Sequence, residues 1–407
     1  MLGRIALVTV LLTATACTAS TSGHTSPPPP PSSSVPPSSV PSSSARSASS
    51  GSSASSASGA GSAKARTVTV LGTGDVLIHP QVWQQAQADA AAEGKSGYDF
   101  EPMLASIAPD VRRADLAICE MESPLAPPEG PFEGWPTFSS PPQVLTALKQ
   151  VGYDSCTTAS NHSIDQGYTG VKRTLDEIDA AGLKHTGSAR SAAEADTPLI
   201  ITEPNGVRIA QLAYAFGFNG QSIPSSMPWL SNLTDIPKIL AAAHRAKQAG
   251  ADIVVLSMHW GTEYDTGTTA LQRQQADELL ASPDIDLILG DHPHVVEPAE
   301  KLHGKWVIFS MGNQLSRHAD PVLVSREGAM PLFTFTETSP GHFAVTRAEV
   351  VPTLMQLAPK LRLVDLPRAL ADPSTSAADR TAYQTSVEHV KAIIDAMGAA
   401  QDGMTVG

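Results

Sequence analysis

The sequence predicts an α/β fold with layered sheets, and three observations predict it. Apolar, β-branched runs alternate with helical patterns from about Thr67 onward. Two of those runs, "ADIVVLSMHWG" and "IDLILGDHPH", are apolar almost throughout, as strands buried on both faces are. Most telling, several strands stop at residues able to hold a ligand, which α/β proteins gather at the carboxyl edge of a sheet.

The elements follow in order. "RTVTVLGTGDVLI" is a strand that turns at Gly-Thr-Gly and delivers Asp75. "YDFEPMLASIAPDVRRA" reads as helix, and "DLAICEMESPL" as a strand ending at Glu122. "PPQVLTALKQVG" is a helix stopped by Gly152, and the strand "YDSCTTAS" runs into Asn161 and His162. The helix "GYTGVKRTLDEIDAAG" and the short strand "KHTGSA" precede a hairpin around Asn205-Gly206. The helix "IPKILAAAHRAKQAG" leads to the strand that ends at His259, and the helix "ALQRQQADELLAS" to the one that ends at His292 and His294. "HGKWVIFSMGN", "PLFTFTE" and "HFAVTRAEVVP" add strands, and "DRTAYQTSVEHVKAIIDAM" is an amphipathic helix. No internal repeat is visible.

Taken alone, His292 and His294 are either ligands or ordinary polar loop residues. An extended chain would turn both to one side, because side chains alternate along a strand. Asp75, Glu122, Asn161–His162, His259 and His292–His294 all fall at predicted strand ends, and five such clusters at one edge favour ligands. The set mixes nitrogen and oxygen donors, which suits one or two ions of Mn, Fe or Zn over a hard oxygen-only ion. His162 beside Asn161 reads as an acid able to protonate a leaving oxygen. Asp165 either orients His162 or caps the next helix. Trp260, Glu263 and Tyr264 follow His259 and line a pocket or serve as structural support. Ser310 and Asn313 sit at a further strand end, with Asn313 a candidate substrate contact.

Composition excludes some classes. The 407 residues carry 27 Lys+Arg against 40 Asp+Glu, a net charge of −13, which argues against a nucleic-acid partner. With 41 % hydrophobic residues a sizeable core is possible.

Residues 1–17 read as an export signal, with Arg4, the apolar stretch "IALVTVLLTATA" and then Cys17. The stretch is shorter than the roughly 20 residues that span a bilayer, and no later one supplies them. "ATAC" resembles a lipobox, so the expectation is lipidation at Cys17, with a plain secretory signal as the alternative. Residues 18–66 are Ser, Pro, Ala and Gly, a tether reaching on the order of 150 Å if extended. The body then occupies 67–352 and a helical extension 353–407, which packs on the body or docks a partner. This organisation places the protein outside the cytoplasmic membrane, anchored to its outer face in the cell-wall zone. Cys119 and Cys156 form a disulfide permitted by that compartment, or are two small buried residues.

"GTGDVL", "ICEMESPL", "TASNHSIDQGY", "SMHWGTEY", "GDHPHVVEP" and "SMGNQ", in this order, resemble the CapA family of poly-γ-glutamate capsule synthesis proteins, itself similar to calcineurin-like metallophosphoesterases. The resemblance runs from about Thr67 to about Val350 and implies a four-layer αββα sandwich. It implies metal ligation by Asp75, Glu122 (the bridging position), Asn161, His259, His292 and His294, with His162 catalytic. Leu77 stands where metallophosphoesterases write histidine, which leaves one ion a ligand short; His79 is two residues off. Gln314 replaces an aromatic and bears on packing. The function implied is metal-dependent and hydrolase-like, acting with an envelope polymer or its synthase machinery. A non-catalytic scaffold and a generic exported phosphodiesterase are the alternatives.

Overall fold

The computed structural model describes residues 65–318 and 323–407, all within one compact unit. The export segment, Cys17 and nearly all of the tether lie outside the described residues. Arg66, assigned to the tether by its composition, is bound to the body. Its guanidinium donates to Glu337 at 2.7 and 2.9 Å and lies 5.2 Å from the Phe343 ring centroid.

The chain enters one sheet, leaves for a second and returns to the first. β1 (Thr67–Leu77), β2 (Leu116–Glu120), β3 (Ser155–Thr157) and β4 (Lys184–Thr186) are successive parallel neighbours. β5 (Leu199–Thr202) and β6 (Arg208–Ala215) form the hairpin expected at Asn205-Gly206. β7 (Ile253–His259) and β8 (Leu287–Asp291) add in parallel, and β9 (Ala299–Leu302) with β10 (Lys305–Ile308) complete the six-stranded sheet. β11 (Asn313–Ser316) then pairs with the far end of β1, and β12 (Glu327–Ser339) pairs antiparallel with its start. β13 (His342–Gln356), β14 (Arg362–Asp365) and β15 (Met404–Val406) complete the nine-stranded sheet.

Side-chain alternation makes the layers. Val255 of β7 and Leu287 and Leu289 of β8 face Val68, Val70, Leu116 and Ile118 across the space between the sheets. Their neighbours Val254, Leu256 and Ile288 face outward under the helices Ile236–Gln248 and Ala270–Ala281. On the other side, Leu71, Ala117 and Cys119 face the helices Val144–Val151 and Gly167–Ala180. Helix, sheet, sheet and helix make the four layers that the resemblance implied. Each fully buried aliphatic side chain contributes about 2 kcal/mol in such a core.

Three local features differ from expectation. "YDFEPMLASIAPDVRRA" is two short helices joined by a 3-10 turn, with prolines opening both helices. Sequence reading passed over the helix Pro80–Ala92, whose polar composition hides its buried face at Val82, Ala86 and Ala90. β13 runs across position 352 and β15 pairs with it, so the tail from 353 is woven into the sheet as well as helical. Cys119 and Cys156 sit opposite each other on β2 and β3 and are bonded, with Cα atoms 4.4 Å apart.

Candidate metal centre

Backbone geometry delivers the cluster. The ladder of β1 shifts register between Gly72 and Asp75 and again after Asp75, a bulge that re-aims the aspartate. Gly74 is required there, since a Cβ would lie 1.8 Å from the Gly312 carbonyl oxygen. β2 ends at Glu120 on the face between the sheets, and Glu122 follows two residues later. β7 ends at His259. β8 stops at Asp291, one residue before the histidines, so strand alternation is not what aligns them. His292 and His294 instead take positive φ angles of 98° and 57°, an uncommon backbone that turns both rings inward.

Among the described residues, four groups of three side chains could each hold an ion, and two of them share Glu122. Glu122, His259 and His292 bring donor atoms within 4.8 Å of one another, and so do Asp75, Glu122 and His294. Glu122 Oε1 lies 3.8 Å from His259 Nε2 and also 3.8 Å from His294 Nε2. That is too long for a hydrogen bond and leaves room for a cation on each side. Asn161 Oδ1 is 3.1 Å from His259 Nε2, which adds an oxygen to the first set. The second set has no fourth partner at position 77, where Leu77 is buried and apolar.

Electrostatics agree with cation binding. Both carboxylate oxygens of Glu122 and of Glu120, Oδ1 of Asp291 and Nδ1 of His292 and of His259 are buried without a hydrogen-bond partner. Buried polar atoms are rarely left so. Burial raises the Glu122 carboxyl well above its usual range; the charge of Asp75 adds to the rise and His294 opposes it. Glu120 and Asp291 are raised likewise, by burial first and then by neighbouring carboxylates. Burial and the adjacent imidazoles lower His292 to about 3 and push His259 well down. At His294 burial pulls down, but Glu122 and Asp75 outweigh it and lift the ring to about 9. Asp75 Oδ2 receives His294 Nδ1 at 2.9 Å, and Asp75 Oδ1 accepts the His292 N–H at 3.2 Å. The donor set fits a divalent ion of mixed preference.

His162 stands beside the first set. Its Nδ1 is 2.7 Å from Asp165 Oδ2, which also accepts the Phe138 N–H at 2.8 Å. Asp165 therefore orients His162; the helix Gly167–Ala180 carries no side-chain cap. Asn219, which sequence reading missed, lies 3.3 Å from His162 Nε2 and accepts from Asn161 at 3.3 Å.

The other candidates divide. Tyr264 is half-exposed beside His294, its ring centroid 6.0 Å away, and Glu263 approaches His292 and His294. Trp260 does not line the cavity. It is buried among the core residues outside the second sheet, and its indole N–H donates to the Phe309 carbonyl at 2.8 Å. Asn313 donates its amide N–H groups to the carbonyls of His294 and Ser325, and its Oδ1 is buried without a partner. Ser310 donates to the Val295 carbonyl and holds the same turn. His79 contacts the Leu77 carbonyl and Ser316 and is absent from the ligand sets. Gln314 is buried against Tyr153 and Met330, a packing role.

Four layers with a histidine–carboxylate cluster at the strand ends define a layered α/β protein built around a candidate metal centre. Residues 69–318, more than half of the chain, match the family model "Bacterial capsule synthesis protein PGA_cap", and the protein belongs to that family. It is similar to the PGA biosynthesis protein CapA of Bacillus subtilis, 30% identical over 206 residues, covering 51% of this chain and 53% of that one. A probable polyglutamine synthesis accessory protein of Mycobacterium tuberculosis is 26% identical over 183 residues, covering 42% of this chain and 47% of that one. The chain thus spans about half the length of these relatives. A solved calcineurin-like phosphoesterase of Bacillus subtilis aligns with 80% of this chain and 99% of its own at 13% identity, with a TM-score of 0.44.

Proposed function

We propose that this protein is a metal-dependent, hydrolase-like accessory factor in the synthesis, transfer or anchoring of poly-γ-glutamate or a related envelope polymer. The observation that carries this reading is Glu122, equidistant from His259 and His294 and shared by two ligand sets with orphaned polar atoms. Asn161, Glu122, His259 and His292 would hold one ion, and Asp75, Glu122 and His294 a second, with Mn, Fe or Zn suited to the donors. Bound there, such ions supply Lewis-acid polarisation of a phosphoryl or carbonyl oxygen and an acidified water. His162, with Nδ1 fixed by Asp165, presents Nε2 to the site to protonate a leaving oxygen. Asn219 Nδ2, 3.3 Å from Nε2, holds the ring until a substrate oxygen takes its place there. Family membership supports the capsule setting. The sequence of residues 1–17 supports lipidation at Cys17 and a place outside the membrane; radiolabelled palmitate should enter the chain and be lost in Cys17→Ala.

Elemental mass spectrometry of the chain purified without chelator tests the metal. Two equivalents, with hydrolysis of a phosphodiester or γ-glutamyl probe lost in His162→Ala, support the hydrolase. Leu77 favours a second reading, a polymer- or synthase-binding scaffold. No metal, together with polymer handling that survives His162→Ala, would select it.

A further inference from the structure

A cavity of about 490 Å³ opens beside the cluster, within the range of about 300–1,000 Å³ typical of small-molecule sites. No lysine or arginine lines it, whereas the carboxylates of Asp165 and Glu263 do. The nearby Arg317 turns its guanidinium onto the His318 carbonyl. The protein wall offers a run of free carboxylates no lysine or arginine, so any attraction for a polyglutamate chain would fall to ions held in the centre and not to the wall around Trp135.

The aromatic side chains point elsewhere. Among the described residues four aromatics are exposed, and three of them surround this centre. Trp135, 79% exposed, and Tyr264 line the cavity, while Phe216 lies over His292 with ring centroids 4.6 Å apart. An exposed tryptophan is a poor core residue, but its electron-rich face suits the weakly positive C–H face of a sugar ring. Polar groups of the right kind stand beside it. Gln221 is an exposed amide on Asp165 Oδ1, and Glu263 is an exposed carboxylate. Amides and carboxylates pair with hydroxyls in both directions.

We infer that this cavity binds a neutral glycan residue, stacked on Trp135 and Tyr264 and hydrogen-bonded to Glu263 and Gln221, beside the metal centre. The inference goes beyond the proposed hydrolysis, and binding is read without turnover, so either can fail alone.

The test is saturation-transfer NMR and tryptophan fluorescence on the full chain in mild detergent, loaded with diamagnetic Zn²⁺. The probes are chitotetraose, maltotetraose, galactotetraose, a γ-glutamate hexamer and adenosine 5′-monophosphate. At least one neutral oligosaccharide should bind saturably through its ring protons. Trp135→Ala should weaken that binding about tenfold, and Trp135→Phe should restore part of it. Trp135 is exposed, so its variants fold, and Tyr264→Ala gives an independent check. The inference is overturned if no oligosaccharide binds, if oligosaccharide binding ignores Trp135, or if only the hexamer or the nucleotide depends on it.

Discussion

The two halves of the centre are built from the same parts and differ in completeness. The half with His259 and His292 has Glu122 and Asn161 as oxygen donors, and its imidazoles are held neutral by burial. The half with Asp75 and His294 lacks a partner at Leu77, and its imidazole is held protonated by two carboxylates. Burial favours neutral imidazoles in one half and two carboxylates favour a proton on the ring in the other, while Glu122, raised by burial, is common to both. The difference teaches that a shared carboxylate does not make two equal sites, and that a single apolar residue can grade them.

Breaking the shared residue should have the largest effect. Glu122→Ala removes a donor from both halves, so metal content measured by elemental mass spectrometry should fall from two equivalents to nearly none. Retention of one full equivalent would show that the halves are independent. His292→Ala should remove only the ion of the complete half, and the fall should stop near one equivalent.

Leu77→His sharpens the contrast by offering the missing ligand. Affinity in the weaker half should rise on the order of tenfold or more by competitive chelator titration. An unchanged affinity would mean that the bulged β1 does not aim position 77 at the cluster. Acidity separates the halves more gently. A group whose folded pKa is raised to about 9 holds a proton at neutral pH, and a cation must displace it. Affinity at the His294 half should therefore climb up to about tenfold per pH unit toward pH 9. His292, lowered to about 3, is already deprotonated at neutral pH and adds no such slope to its own half. Equal slopes for the two ions would refute this ordering. The smallest effect belongs to His79→Ala, which should leave metal content unchanged because His79 is hydrogen-bonded to Leu77 and Ser316 instead.

Much of this was legible in the sequence. Buried strands read as apolar runs, and a polar residue at the end of such a run is conspicuous, which is how Asp75, Glu122, His259, His292 and His294 were found. Glu120 was missed although "CEMES" places it two residues before Glu122. The strand was read through to Glu122, whereas it ends at Glu120, and only the second sheet, packed across it, turns that residue into a buried charge. Asn219 sits in an irregular segment with no periodicity to mark it. Trp260 was left open between pocket and structural support, because proximity to His259 in the chain does not fix direction; its ring packs in the core outside the second sheet. The histidine turn was foreseen for the wrong reason, since positive φ angles leave no trace in composition.

Arg66 marks where the chain joins the body, and β1 begins at the next residue. A force applied ahead of position 65 would run along the axis of β1, which is flanked by β12 and β2 over its first half and by β2 and β11 near its end. Those hydrogen bonds lie across the direction of pull, so they are loaded together in shear rather than opened one at a time. The guanidinium clamp on Glu337 and Phe343 meets the load first. Asp75, near the opposite end of the strand, meets it late. Drawn by its amino end, the molecule would keep Asp75 at rest until the central strand itself gives way.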